Sequence, residues 1–161
     1  MSATFEDKLA ALRNQGADFV ASVAADKPLL SSIARLNGCF NDCDATSDEV
    51  KQWTCKLCSN EIKPLHFIRV NESTKAENQA VVAKFQNATF IIFRGTSNLS
   101  NVESDVQWKM AALPDVMHCP GGHVHAGFLN IWTGLRSGVL AALATFQQQQ
   151  KSPIAVICSG H

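Results

Sequence analysis

The chain has 161 residues, 46% of them hydrophobic and 17% charged, with a formal net charge of zero. That length and apolar content suit one globular domain or most of one, and without a clustered excess of Lys and Arg no nucleic-acid partner is expected. No apolar run approaches the about 18–20 residues that span a bilayer, so no transmembrane segment is expected either.

Residues 4 to 35 read as helical: Phe5, Leu9, Leu12, Phe19, Val20 and Val23 recur at three- and four-residue steps between charged positions. Gly16 weakens the middle, and Pro28 ends one helix or opens another. A helix of this kind covers one face of a sheet; a membrane-surface helix would carry a richer basic face. We divide the chain into an N-terminal helical segment, 1–36, and a domain over 37–161.

Four of the six cysteines follow, as Cys39-x-x-x-Cys43 and Cys55-x-x-Cys58. Two chemistries compete for them. Paired thiolates can close on a tetrahedral zinc ion, or disulfides can staple a segment that has little core of its own. The unequal spacings and the short polar loop at 44–51 favour disulfides, with Cys119 a further candidate. A redox Cys-x-x-Cys would need a strand before it and a helix after it, and the sequence offers neither. Pairing is not deducible from sequence. The even cysteine count and three Asn-x-Ser/Thr triplets (Asn71, Asn87, Asn98) point to secretion or another oxidising compartment, although no signal peptide is visible in Met-Ser-Ala-Thr-Phe-Glu-Asp-Lys.

Leu65 to Val70 reads as a short strand. The clearest β signal is Ala80–Phe85 and Ala88–Phe93, separated by Gln86-Asn87, a hairpin in which Asn tolerates the left-handed turn conformation. The second run is almost continuously apolar, as expected of a strand buried on both faces. Arg94-Gly95-Thr96-Ser97 then leaves the sheet abruptly at a strand's C-terminal edge, where open α/β sheets gather their ligands.

Residues 102–124 read as irregular. His118, Cys119, His123 and His125 crowd there, but Pro-Gly-Gly makes a loop and no carboxylate stands at ligand spacing, so no metal is assigned. From Ala126 to Gln150 the stripe Phe128, Ile131, Trp132, Leu135, Val139, Leu143 and Phe146 predicts an amphipathic helix. Pro153 then leads into a buried strand at 154–158, giving a right-handed β-α-β unit with strand 88–93. The fold class is α/β.

These pieces resemble the fungal-type class-three (triacylglycerol) lipase family. The resemblance rests on Phe93-Arg94-Gly95-Thr96, then Ser97, Asn101 and Asp105 in the lid stretch. It rests further on His125-x-Gly127-Phe128 with Trp132, on Val156 to His161 running into a Gly-His-Ser elbow, and on Trp53-Thr54-Cys55-x-x-Cys58. It implies the front half of an α/β-hydrolase, with N-terminal helices, a β-hairpin, a β-α-β unit and an incomplete sheet. It implies that Thr96 donates to the oxyanion, a role worth roughly 3–4 kcal/mol when the hole is complete. Arg94, Gly95 and His125 would support the strand-end loop, His125 as a hydrogen-bonding core histidine, and Gly160 and His161 would shape the elbow.

Val102 stands where the family commonly has tryptophan. The nucleophilic serine would occupy position 162, with the acid and histidine after it in the family order. The 161 residues alone are therefore expected to be inactive, truncated before the triad. If completed, the domain would cleave acylglycerols or other esters without a cofactor. The alternatives are an accessory subunit on a lipase-like scaffold, its open sheet edge covered by a protein partner, and a small zinc-binding Cys-rich module.

Overall fold

The computed structural model describes residues 3–13, 26–43, 48–72, 78–95, 109–113, 120–149 and 155–160. Helix α1 (Phe5–Arg13) begins at a reciprocal cap: the Asp7 carboxylate accepts from the Thr4 amide and hydroxyl, and Thr4 Oγ1 accepts from the Asp7 amide. Helix α2 (Lys27–Asp42) is capped by Asp26, which accepts from the Leu29 amide at 3.0 Å. Pro28 therefore opens this helix, in the first turn where its missing N–H costs nothing. Lys8 Nζ reaches both Asp26 oxygens at 2.8 and 2.9 Å and joins the two helices. Phe19, Val20 and Val23 lie outside the described residues, and α2 runs on to Asp42, past the periodic stretch expected to end at 35.

A short helix α3 (Asp48–Lys51) and a 3-10 turn (Asn60–Ile62) flank the second cysteine pair. Six strands follow or interleave: β1 (His66–Asn71), β2 (Gln79–Lys84), β3 (Ala88–Phe93), β4 (Met110–Ala112), β5 (His123–His125) and β6 (Ala155–Gly160). Helix α4 (Ala126–Gln148) lies between β5 and β6. The main sheet has the order β1-β2-β3-β6, antiparallel for the first two pairs and parallel for β3 with β6.

The sheet separates two cores because successive side chains of a strand point to opposite faces. Val81, Ala83, Phe90, Ile92 and Ile157 meet α1, α2 and the cysteine segment. Ala80, Val82, Ile91 and Val70 meet Leu135, Val139, Ala142 and Phe146 of α4. β2 and β3, buried on both faces, form the centre, and the protein is an α/β/α arrangement with a mixed sheet, the front part of an α/β-hydrolase fold. Lys84, buried on the α4 side, donates to Gln149 Oε1 at 3.2 Å and stands 5.9 Å from the Phe146 ring centroid.

Three local expectations are corrected. The β2–β3 turn uses no left-handed residue: among the described non-glycine residues only Trp53 has positive φ, at 60°. The turn is held instead by Glu6 of α1, whose carboxylate accepts from the Gln86 amide and Asn87 Nδ2. Within 102–124, read as irregular, β4 and β5 form an antiparallel ribbon, Met110 opposite His125. Phe128, placed on the buried stripe of α4, is 58% exposed. It sits in the first turn, ahead of the buried part of the helix that begins at Leu135.

Candidate active-site edge

Two parallel strands ending side by side define the edge of interest. The register pairs Ile92 with Ser159 and Phe93 with Gly160. Phe93 and Gly160 therefore end adjacent parallel strands at the same level. The approach is tight: a Cβ on Gly160 would stand 3.0 Å from the Phe93 carbonyl oxygen and 3.2 Å from its Cβ. A side chain there would crowd the Phe93 backbone.

Arg94 keeps its amide in the sheet, donating to the Gln79 carbonyl at 3.0 Å. Its Nε is buried and has no hydrogen-bond partner among the described residues. Gly95 is half-buried beside it. Thr96, the expected oxyanion donor, lies outside the described residues, as do Ser97, Asn101, Val102, Asp105 and His161.

His125 ends β5 and is the residue on which α4 starts, with the Ala126 amide donating to the Lys109 carbonyl at 2.8 Å. Its ring centroid lies 5.0 Å from that of Phe128. Both ring nitrogens are buried, and neither has a hydrogen-bond partner among the described residues. Two turns along α4, Trp132 meets Phe93 edge-on at 6.1 Å, so this helix braces the end of β3. His123 Nδ1 lies 3.0 Å from the Gly121 carbonyl, while His118 and Cys119 fall outside the described residues.

Beneath the edge, Ser159 Oγ donates to Asn37 Oδ1 at 2.9 Å and pins β6 to α2. Neither residue stood out in the sequence, because a lone Asn on a helix and a lone Ser on a strand carry no spacing signal. Cys158, on the other face of β6, is exposed and free. The four N-terminal cysteines pair as nested disulfides, Cys39–Cys58 outside Cys43–Cys55. This decides between staple and zinc for the oxidised chain, and fits an oxidising compartment.

Comparison with known proteins bears on the same edge. The family model "Lipase (class 3)" matches residues 90–161. Over these residues the chain is similar to the class 3 lipase family. The match begins in β3 and takes in the ribbon, α4 and β6, the elements that build the edge. Among solved structures, a fungal lipase in complex with an inhibitor is 23% identical with a TM-score of 0.65, covering 82% of this chain and 48% of that one. A deletion mutant of the Rhizomucor miehei lipase propeptide complex is 22% identical with a TM-score of 0.64, over 82% of this chain and 40% of that one. The Rhizomucor miehei triacylglyceride lipase itself is 22% identical with a TM-score of 0.60, over 81% and 46%. At these identities the likeness is one of fold, and the chain spans less than half the length of these lipases. No curated protein matches it.

Proposed function

We propose that this chain is the front part of a lipase-like carboxylic ester hydrolase, acting on acylglycerols or related esters. The observation that carries the reading is the β3–β6 register, with Phe93 opposite Gly160. In an ester hydrolase of this type a serine after Gly-His would attack the acyl carbonyl, and a donor after Arg-Gly would meet the developing oxyanion. Adjacent parallel strands ending level support a reading in which those two positions meet one carbonyl. Thr96 takes the donor role, while Arg94, Gly95 and His125 hold the loop that carries it, and His161 shapes the elbow.

The nucleophile, acid and histidine are not among these 161 residues, so the chain expressed alone is inactive. The disulfides support secretion of the protein. A serine-directed fluorophosphonate and a p-nitrophenyl ester test the reading. A form extended through the elbow labels and turns over, and its Thr96→Ala variant loses about 10²–10³-fold in kcat. The 161-residue form does neither. Labelling of the short form, or an extended form that never labels, would overturn the proposal.

A second reading, a non-catalytic accessory subunit, is favoured by one feature. Among the described residues β6 hydrogen-bonds only to β3, and its Val156 is 43% exposed. A protein partner covering that edge would complete the sheet. Co-purification of such a partner with an extended form that does not label would favour this reading.

A further inference from the structure

The two disulfides form a single sulfur cluster. The Sγ atoms of Cys43, Cys55 and Cys58 all lie within 4.8 Å of one another, and Cys39 Sγ is bonded to that of Cys58. All four residues are at most 9% exposed. A tetrahedral zinc with Zn–S bonds of about 2.3 Å places its sulfurs about 3.8 Å apart. Each bonded pair would have to part by about 1.8 Å, from an S–S bond of about 2.0 Å, and Cys39, which lies outside the group of three, would have to turn towards Cys43 and Cys55.

Contacts other than the S–S bonds also hold the frame around the sulfurs. Cys39 and Cys43 are four residues apart at the end of α2, a spacing that puts side chains on one helix face. The Cys58 amide donates to the Cys55 carbonyl at 2.9 Å and turns the Cys-x-x-Cys segment back on itself. The Thr54 amide donates to the Glu49 carbonyl at 2.7 Å, and the Trp53 indole donates to the Ser59 carbonyl at 2.9 Å. Phe40 and Trp53 pack edge-on at 5.8 Å, with Val50 fully buried nearby in the same core. Helix, loop and core would thus keep the four thiols converged after reduction.

We propose that the reduced chain binds one Zn²⁺ through Cys39, Cys43, Cys55 and Cys58, so that the segment has two closed states, a disulfide pair and a tetrathiolate metal site. The chemistry balances with a thiol or phosphine reductant. Each disulfide takes two electrons from the reductant and two protons from water, giving four thiols. Zn²⁺ then displaces the four thiol protons as it binds. The site goes beyond the hydrolase reading and does not rest on it.

The test uses the full 161-residue chain carrying Cys119→Ser and Cys158→Ser, which leaves only the four cysteines in question. It is reduced with a phosphine, freed of oxygen and titrated with Co²⁺. One Co²⁺ per chain is expected, with the near-ultraviolet thiolate charge-transfer band and visible intensity of a four-sulfur tetrahedral site, displaced by one equivalent of Zn²⁺. The oxidised chain should give no such band, and Cys55→Ser should weaken binding at least tenfold. An absent band in the reduced chain, a band equally strong in the oxidised chain, or affinity unchanged by Cys55→Ser would overturn the proposal.

Discussion

Gly134 and Gly138 stand one turn apart on α4, and both face β1. A Cβ at Gly138 would lie 2.5 Å from Val70 Cγ1, a stiff β-branched side chain on a paired strand. A Cβ at Gly134 would meet the Glu72 side chain at 2.6 Å, and that chain has rotatable bonds with which to move. Alanine gains about 1 kcal/mol of helix propensity over glycine at either place. Overpacking against Val70 costs about 1–3 kcal/mol. Gly138→Ala should therefore lower the denaturant midpoint while Gly134→Ala leaves it near the parent value. Equal effects would show that the helix can slide away from β1. Asp26 carries a different sensitivity. Its carboxyl is held below the usual carboxylate range first by the hydrogen bond from Lys8, then by the Leu29 amide. A depressed folded pKa gives stability that is present above the unfolded value of about 3.9 and lost as pH falls through the folded one. Asp26→Asn should lower thermal stability at pH 6, and the gap to the parent protein should close by pH 2.

Between elements, the closest approach at the candidate edge is β6 against β3. Gly160→Ala pushes a methyl group towards the Phe93 carbonyl at 3.0 Å and should cost about 1–3 kcal/mol. In the extended form it should also slow fluorophosphonate labelling, because the strand ends part where the acyl group must sit. Unchanged labelling would mean that the edge tolerates a wider spacing. The central hairpin and the β-α-β unit were legible in the chain because their apolar runs are long and continuous and meet at short polar breaks. The β4–β5 ribbon was not. Its strands have three residues each, too short for any period, and they pair across a segment rich in Pro and Gly. Helix α2 runs beyond its periodic stretch for a related reason: Cys39 and Phe40 are fully or almost fully buried and continue its apolar face, but a pair of cysteines carries no helical signal of its own.

Across the whole molecule, one layer of helices and cysteine loop and one long helix enclose the sheet. The disulfides stand in the first layer, where the segment from Cys43 to Ile62 has little regular structure of its own. Loops of this size gain about 3 kcal/mol from closure. The Cys39→Ser/Cys58→Ser chain should thus unfold at a midpoint lower by about 2–4 kcal/mol of stability. An unaffected midpoint would show that Trp53, Val50 and Phe40 hold the loop unaided. That four cysteines would pair could be read from their spacing, but which with which could not, since four allow three connectivities. The site was legible in the same partial way. The strand-end residues Arg94, Gly95 and Gly160 could be found from local pattern, whereas the burial of the His125 ring nitrogens and the Ser159–Asn37 tie depend on elements far apart in the chain.

The register of the sheet also sets an order in time. Partners in β1–β2 and β2–β3 are at most 18 residues apart, from His66 to Lys84, whereas Ala88 waits 67 residues for Ala155 (155 minus 88). Loop closure and chain growth both favour the near pairs first. On a ribosome, three strands can assemble while the open side of β3, apolar almost throughout, still lacks its neighbour. Among the described strands of the main sheet, the seam at the candidate catalytic edge is thus the last to close.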